Sequence, residues 1–130
     1  MSPSEALIEA GLRFPGAHIC ESKKHPLLMQ LCSEHSQYMA DHHKQGHQNF
    51  SERYDTISKI LKCNASEICA ESWDRQKDDP LPVIADEMFK CWKSSSGHWK
   101  IASQKHTFFG GDMCQNKENG VWYSCMLVAD

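Results

Sequence analysis

The sequence predicts an α+β fold, a three-layer α-β-α sandwich whose mostly antiparallel sheet is covered by helices on both faces. Two observations predict it. Helical apolar spacing dominates up to about residue 93, after which the period drops to two. The last such stretch is apolar on both faces, with Val121, Tyr123 and Leu127 on one side and Trp122, Met126 and Val128 on the other. A strand that is greasy on both sides needs a cover on both sides. The 130-residue length fits one domain, 1–130, with 1–26 as an N-terminal extension.

Each element has its own signal. Ser2, Pro3 and Glu5 make a capping box ahead of a short helix to Leu12, and Phe14-Pro15-Gly16 turns the chain. From Pro26 to Gly46, Leu28, Leu31, Cys32, Tyr38 and Met39 recur at three- and four-residue spacing with His35 and His42 on the same stripe. A second amphipathic helix fits Ser51 to Leu61, with Tyr54, Ile57, Ile60 and Leu61 inward. A third opens at Asp78-Asp79-Pro80, carries Pro80 and Pro82 in its first turn, and ends in the serines before Gly97. Residues 106–114 and 121–128 read as strands joined by Asn119-Gly120, a dipeptide suited to a type I′ turn. With that turn Glu118 faces Val121, and Cys114 falls directly opposite Cys125, within disulfide range.

Composition excludes several classes. With 14 Lys+Arg against 17 Asp+Glu, and a formal charge of -3, there is no basic stripe for nucleic acid. No apolar run approaches the ~18 residues of a membrane-spanning helix. The first residues have neither the basic nor the apolar stretch of a secretory leader, so either the protein stays inside the cell, a cytoplasmic setting, or a leader is missing. Leu, Ile, Val and Phe supply only 23 residues, so the core is thin and the 4 Trp, 6 Met and 7 Cys must add to it. Seven cysteines favour an oxidising compartment, with Cys114–Cys125 and Cys63–Cys69 as candidate bridges, the latter around a short turn at Asn64–Glu67. Cys20, Cys32 and Cys91 fit either bridges or buried thiols.

Of the eight histidines, His18, His25, His43 and His106 have no partner pattern and read as surface or packing residues, and His35 as a buried, hydrogen-bonded ring. His47 and His98 differ in their surroundings. His35-Ser36-Gln37-Tyr38-Met39-Ala40, then His47 after a six-residue gap, then Arg53, resembles the first signature of the CAP superfamily of cysteine-rich secretory, antigen 5 and pathogenesis-related proteins, also called SCP domains. Ala70-Glu71-Ser72 is similar to that family's Ala-Glu-Asn strand, and the run Trp92–Lys100, with Gly97-His98-Trp99 inside it, to the form found in short bacterial-type members. The resemblance runs from about Leu27 to Val128.

It implies the same α-β-α sandwich and a central cleft built from His47, Glu71 and His98. Ser95 stands where larger members place a second glutamate, and Ser72 replaces the usual asparagine. Two imidazoles on facing walls, His47 and His98, would take zinc or another divalent metal weakly, making the chain a binding or interaction module. Other readings of the same cleft are a hydrolase using His98 with a neighbouring serine or a metal-bound water, and a lipid- or sterol-binding protein using Met29, Met39, Phe50, Phe89 and Phe108. Family resemblance and cysteine content favour an extracellular or particle-surface setting.

Overall fold

The computed structural model describes residues 1–72 and 78–130. Helix α1 (Pro3–Arg13) leads through a 3-10 turn (Ile19–Glu21) into the two-residue strand β1 (Lys23–Lys24). Helices α2 (Pro26–His42) and α3 (Phe50–Leu61), strand β2 (Ala65–Glu71), helices α4 (Leu81–Lys93) and α5 (Ser96–Ala102), and strands β3 (Phe108–Gln115) and β4 (Trp122–Ala129) follow. The four-stranded sheet has the order β1-β3-β4-β2, antiparallel apart from the β1–β3 pair.

The two-faced strand has the expected two covers. Met126 and Val128 pack with Leu7, Ile84, Met88, Phe89 and Trp92 beneath α1 and α4. Tyr123, Cys125 and Leu127 pack with Leu28, Cys32, Met39 and Ile57 beneath α2 and α3. The chain is therefore an α+β fold with a sheet flanked by helices. Gly110 marks where α2 crosses β3, because a Cβ there would collide with the Leu28 backbone. The capping box forms as read: the Glu5 amide donates to the Ser2 hydroxyl, and the Ser2 amide donates to the Glu5 carboxylate.

Several expectations need correction. Residues 1–26 are part of the core, since Leu7 and Ile19 are fully buried. Ile60 is exposed instead of facing inward. Residues 65–67 are not part of a turn between Cys63 and Cys69 but the start of strand β2, and a chain extended over six residue steps separates the two Cα atoms by about 20 Å. No type I′ turn forms either, because Gly120 has φ +79° while Asn119 does not have a positive φ.

The Asn116 side chain organises the turn in its place. Its carbonyl accepts from the Glu118 and Asn119 amides at 2.9 and 3.1 Å, and its amide donates to the Ala40 carbonyl of α2 at 2.7 Å. The resulting register sets Cys114 opposite Tyr123, and Cys125 opposite Asp112 on one side and Cys69 on the other. The Cys114 thiol donates to Gln37 Oε1 at 3.0 Å, and all seven cysteines are free.

Candidate functional site

Seven residues between α2 and α3 deliver His47, and buried groups tie this connection down on either side of it. His35 lies on the inner stripe of α2, and its Nε2–H donates to the Gly46 carbonyl at 2.7 Å. Burial holds the His35 imidazole below its usual range, so it is a neutral ring with Nε2 carrying the proton. Arg53, on the inner face of α3, donates from one terminal nitrogen to the Gln48 carbonyl at 2.8 Å. His47 sits between these two anchors.

The rest of the Arg53 guanidinium grips Glu67, on the inward face of β2. Nε and the second terminal nitrogen donate to the two carboxylate oxygens at 2.7 and 2.8 Å. The Glu67 side chain is 1 % exposed and that of Arg53 10 %. This planar two-point geometry is what guanidinium offers and ammonium does not. Glu67 Oε1 also accepts from His47 Nδ1 at 2.9 Å, while the His47 side chain remains 46 % exposed. Burial pushes the Glu67 carboxyl up, but His47 and Arg53 outweigh it and the net shift is downward. His47 is pushed up to about 10, first by its contact with Cys69 and then by Glu67. The Cys69 thiol is itself held protonated, its ionisation pushed well above the ordinary range by its contact with Cys125 and by burial. At neutral pH the negative charge that stabilises imidazolium is therefore that of Glu67.

Nδ1 of His47 is thus committed inward, which leaves Nε2 as the nitrogen that faces outward. His98 lies in α5, and β2 is the outermost strand of the sheet. Burial and the charge on His47 both lower the His98 ionisation, so the two rings lie within electrostatic reach of each other. His98 Nδ1 is buried with no hydrogen-bond partner among the described residues. Ser95 is half-buried at the N-cap of α5, one turn before His98, and its hydroxyl makes no capping bond.

The carboxylate that meets His47 is Glu67 and not Glu71, which lies four residues further along the same face of β2 and pairs in register with Tyr123. His35, Glu67 and Cys69 stand near enough to hold a metal ion, with one donor atom from each all within 4.8 Å of one another. As folded, these donors have other partners: both Glu67 oxygens take bonds from Arg53, and His35 Nε2 serves Gly46. Cys69 Sγ lies 3.9 Å from His47 Nδ1 and 3.7 Å from Glu67 Oε1. The thiol and the carboxylate thus share one ring nitrogen, whereas a nucleophile relay uses opposite nitrogens of the imidazole.

Sequence reasoning missed Glu67 and the clamping roles of Arg53 and His35. The sequence offered two glutamates, Glu67 and Glu71, on the face of β2 that carries Cys69, with nothing local to choose between them. The remaining histidines are structural or peripheral: His25 Nδ1 caps α2, and His106 bonds Asp130 and the Ile101 carbonyl. A groove of about 290 Å³ between α2 and α3 reaches His35 and Arg53 from the other side.

No family model and no curated protein matches the chain. Among solved structures, it is similar to an outer surface protein from Borrelia burgdorferi, with a TM-score of 0.66 at 14% identity, covering 98% of this chain and 88% of that one. At that identity the likeness speaks to the fold. Among the described residues, no helix is long and apolar enough to cross a membrane.

Proposed function

We propose that the chain is a CAP/SCP-like binding module whose polar cleft, at the free edge of β2, takes a divalent metal such as zinc weakly through Nε2 of His47 and a nitrogen of His98. The observation that carries this reading is the buried, Arg53-locked Glu67 that fixes the His47 ring with Nε2 outward. Metal-binding histidines use such a carboxylate to set tautomer and ring orientation. The unpartnered Nδ1 of His98 is a second group that a ligand would satisfy. The likeness to an outer surface protein supports the extracellular or particle-surface setting.

The site's own charge makes binding weak. With His47 raised to about 10, a metal must displace a proton at neutral pH, so affinity should rise about tenfold per pH unit below that value. Titration calorimetry with zinc at pH 6.5 and 8, in buffers of different ionisation heat, should show tighter binding at pH 8 with release of about one proton. A His47→Ala/His98→Ala double variant should give no binding heat. Equal heats from wild type and double variant would remove the metal from this reading.

A further inference from the structure

The thiol chemistry nearest the site lies in a pair of cysteines that the sequence alone did not match. Cys69 of β2 and Cys125 of β4 are directly opposed in the antiparallel register. The kind of pairing follows from the backbone. Asn64 and Asp130 exchange both amide–carbonyl bonds at 2.9 Å, and the Ser72 amide donates to the Trp122 carbonyl at 2.9 Å. Hydrogen-bonded positions on β2 therefore fall on even residues, and Cys69 occupies a non-hydrogen-bonded pair. Such pairs bring Cα atoms to ~4.5 Å with the side chains closest, which lies inside the disulfide range. Both side chains point to the α2/α3 face and are buried together with Cys32.

We propose that Cys69 and Cys125 form a disulfide when the chain folds in an oxidising compartment, stapling edge strand β2, which carries Glu67, to its neighbour. The chemistry is thiol–disulfide exchange with a small disulfide such as oxidised glutathione. One cysteine thiolate attacks the small disulfide, forming a mixed disulfide and expelling one glutathione thiolate. The second cysteine thiolate then attacks the protein sulfur of that mixed disulfide and expels the other. Two protein thiols become one S–S bond, and one oxidised glutathione becomes two reduced molecules. Exchange takes place during folding, before burial closes over the pair, because the folded thiols are inert to bulky oxidants.

The other cysteines are poorer partners. Cys20 and Cys91 belong to the opposite side of the sheet, Cys63 donates to the Leu61 carbonyl, and Cys114 donates to Gln37. Cys32 of α2, buried in the same cluster as Cys69 and Cys125, is the real competitor. The proposal does not depend on metal binding.

The test is to refold reduced, denatured full chain in a buffer of reduced and oxidised glutathione, and separately to export it to a bacterial periplasm. Free thiols are then alkylated and unreduced peptides mapped by mass spectrometry. The expected result by either route is a linked peptide pair containing Cys69 and Cys125, with Cys114 alkylated. Cys32→Ser should leave the linkage intact and Cys69→Ser should abolish it. A dominant Cys32–Cys125 linkage, or alkylated Cys69 in folded protein from both routes, would overturn the proposal.

Discussion

Replacing Glu67 with glutamine keeps the shape of the side chain and removes the charge on which three donors converge. Arg53 loses two charge-assisted bonds of 2.7 and 2.8 Å, and His47 loses one of 2.9 Å. Hydrogen bonds to charged groups contribute about 1.5–3 kcal/mol each. They are not additive here, because the nearly buried guanidinium keeps neutral acceptors, the introduced amide oxygen and the Gln48 carbonyl, but no counter-charge. Breaking a buried ion pair from one side costs about 3–5 kcal/mol, a large share of the ~5–15 kcal/mol that holds a domain of this kind together. Urea denaturation should therefore show a midpoint lower by about 2 M. NMR titration should show the His47 ring falling from about 10 toward the ordinary ~6.5. Glu71→Gln, the same chemistry four residues further along, should cost less than about 1 kcal/mol. If Glu67→Gln shifts stability no more than Glu71→Gln, and His47 titrates unchanged, the account of the site is wrong.

The remaining expectations concern pH and the backbone. His47 is raised in the folded state, so its contribution to stability is complete below about pH 6.5 and is lost as pH climbs through about 10; melting curves should show that decline, and His47→Ala should flatten it. Glu67 is lowered, so its contribution is present above the unfolded carboxyl value and is lost on acidification. Gly110→Ala should cost about 1–3 kcal/mol or more by forcing β3 off α2, whereas Gly97→Ala, with nothing within 4 Å, should be neutral or stabilising in the same thermal melts. Asn116→Ala leaves two turn amides without their acceptor and takes from the Ala40 carbonyl one of its two donors, the His43 amide being the other; it should cost about 1–3 kcal/mol and speed hydrogen exchange at the Val121 end of β4.

The helices and the two-sided sheet were legible because each rests on local periodicity: α1, α2, α3 and α4 begin and end within a few residues of their signals. The register of β3 on β4 was not, because it is decided by a contact distant in sequence. Asn119-Gly120 is a good local signal for a tight turn, but Asn116 reaching Ala40 of α2 outweighs it and lengthens the loop. A two-residue shift keeps every side chain on its expected face while changing every partner. Hence the two faces of β4 were read correctly and the cysteine pairing was not. The site suffered the same kind of error on β2. Glu67 and Glu71 occupy the same face, and only the position of Arg53 on α3 tells which one is clamped.

The residues that carry the resemblance divide by role, and the division decides what that resemblance can say. Met39, Ala40 and Ser36 are buried packing on α2. His35 and Arg53 fasten the connection that bears His47, one at Gly46 and the other at Gln48. Of the first signature, Gln37 is exposed and bonds Asp41 one turn on, while His47 is the half-exposed ring that the buried Glu67 holds. Most of the pattern therefore encodes how a loop is held against a sheet, a requirement of architecture that chains of different chemistry can share. In the proposed cleft the two rings are in opposite states, His47 charged and His98 neutral at pH 7. A ligand must suit that asymmetry: a metal only by displacing the His47 proton, and an acceptor atom by taking the hydrogen bond that His47 Nε2 already offers.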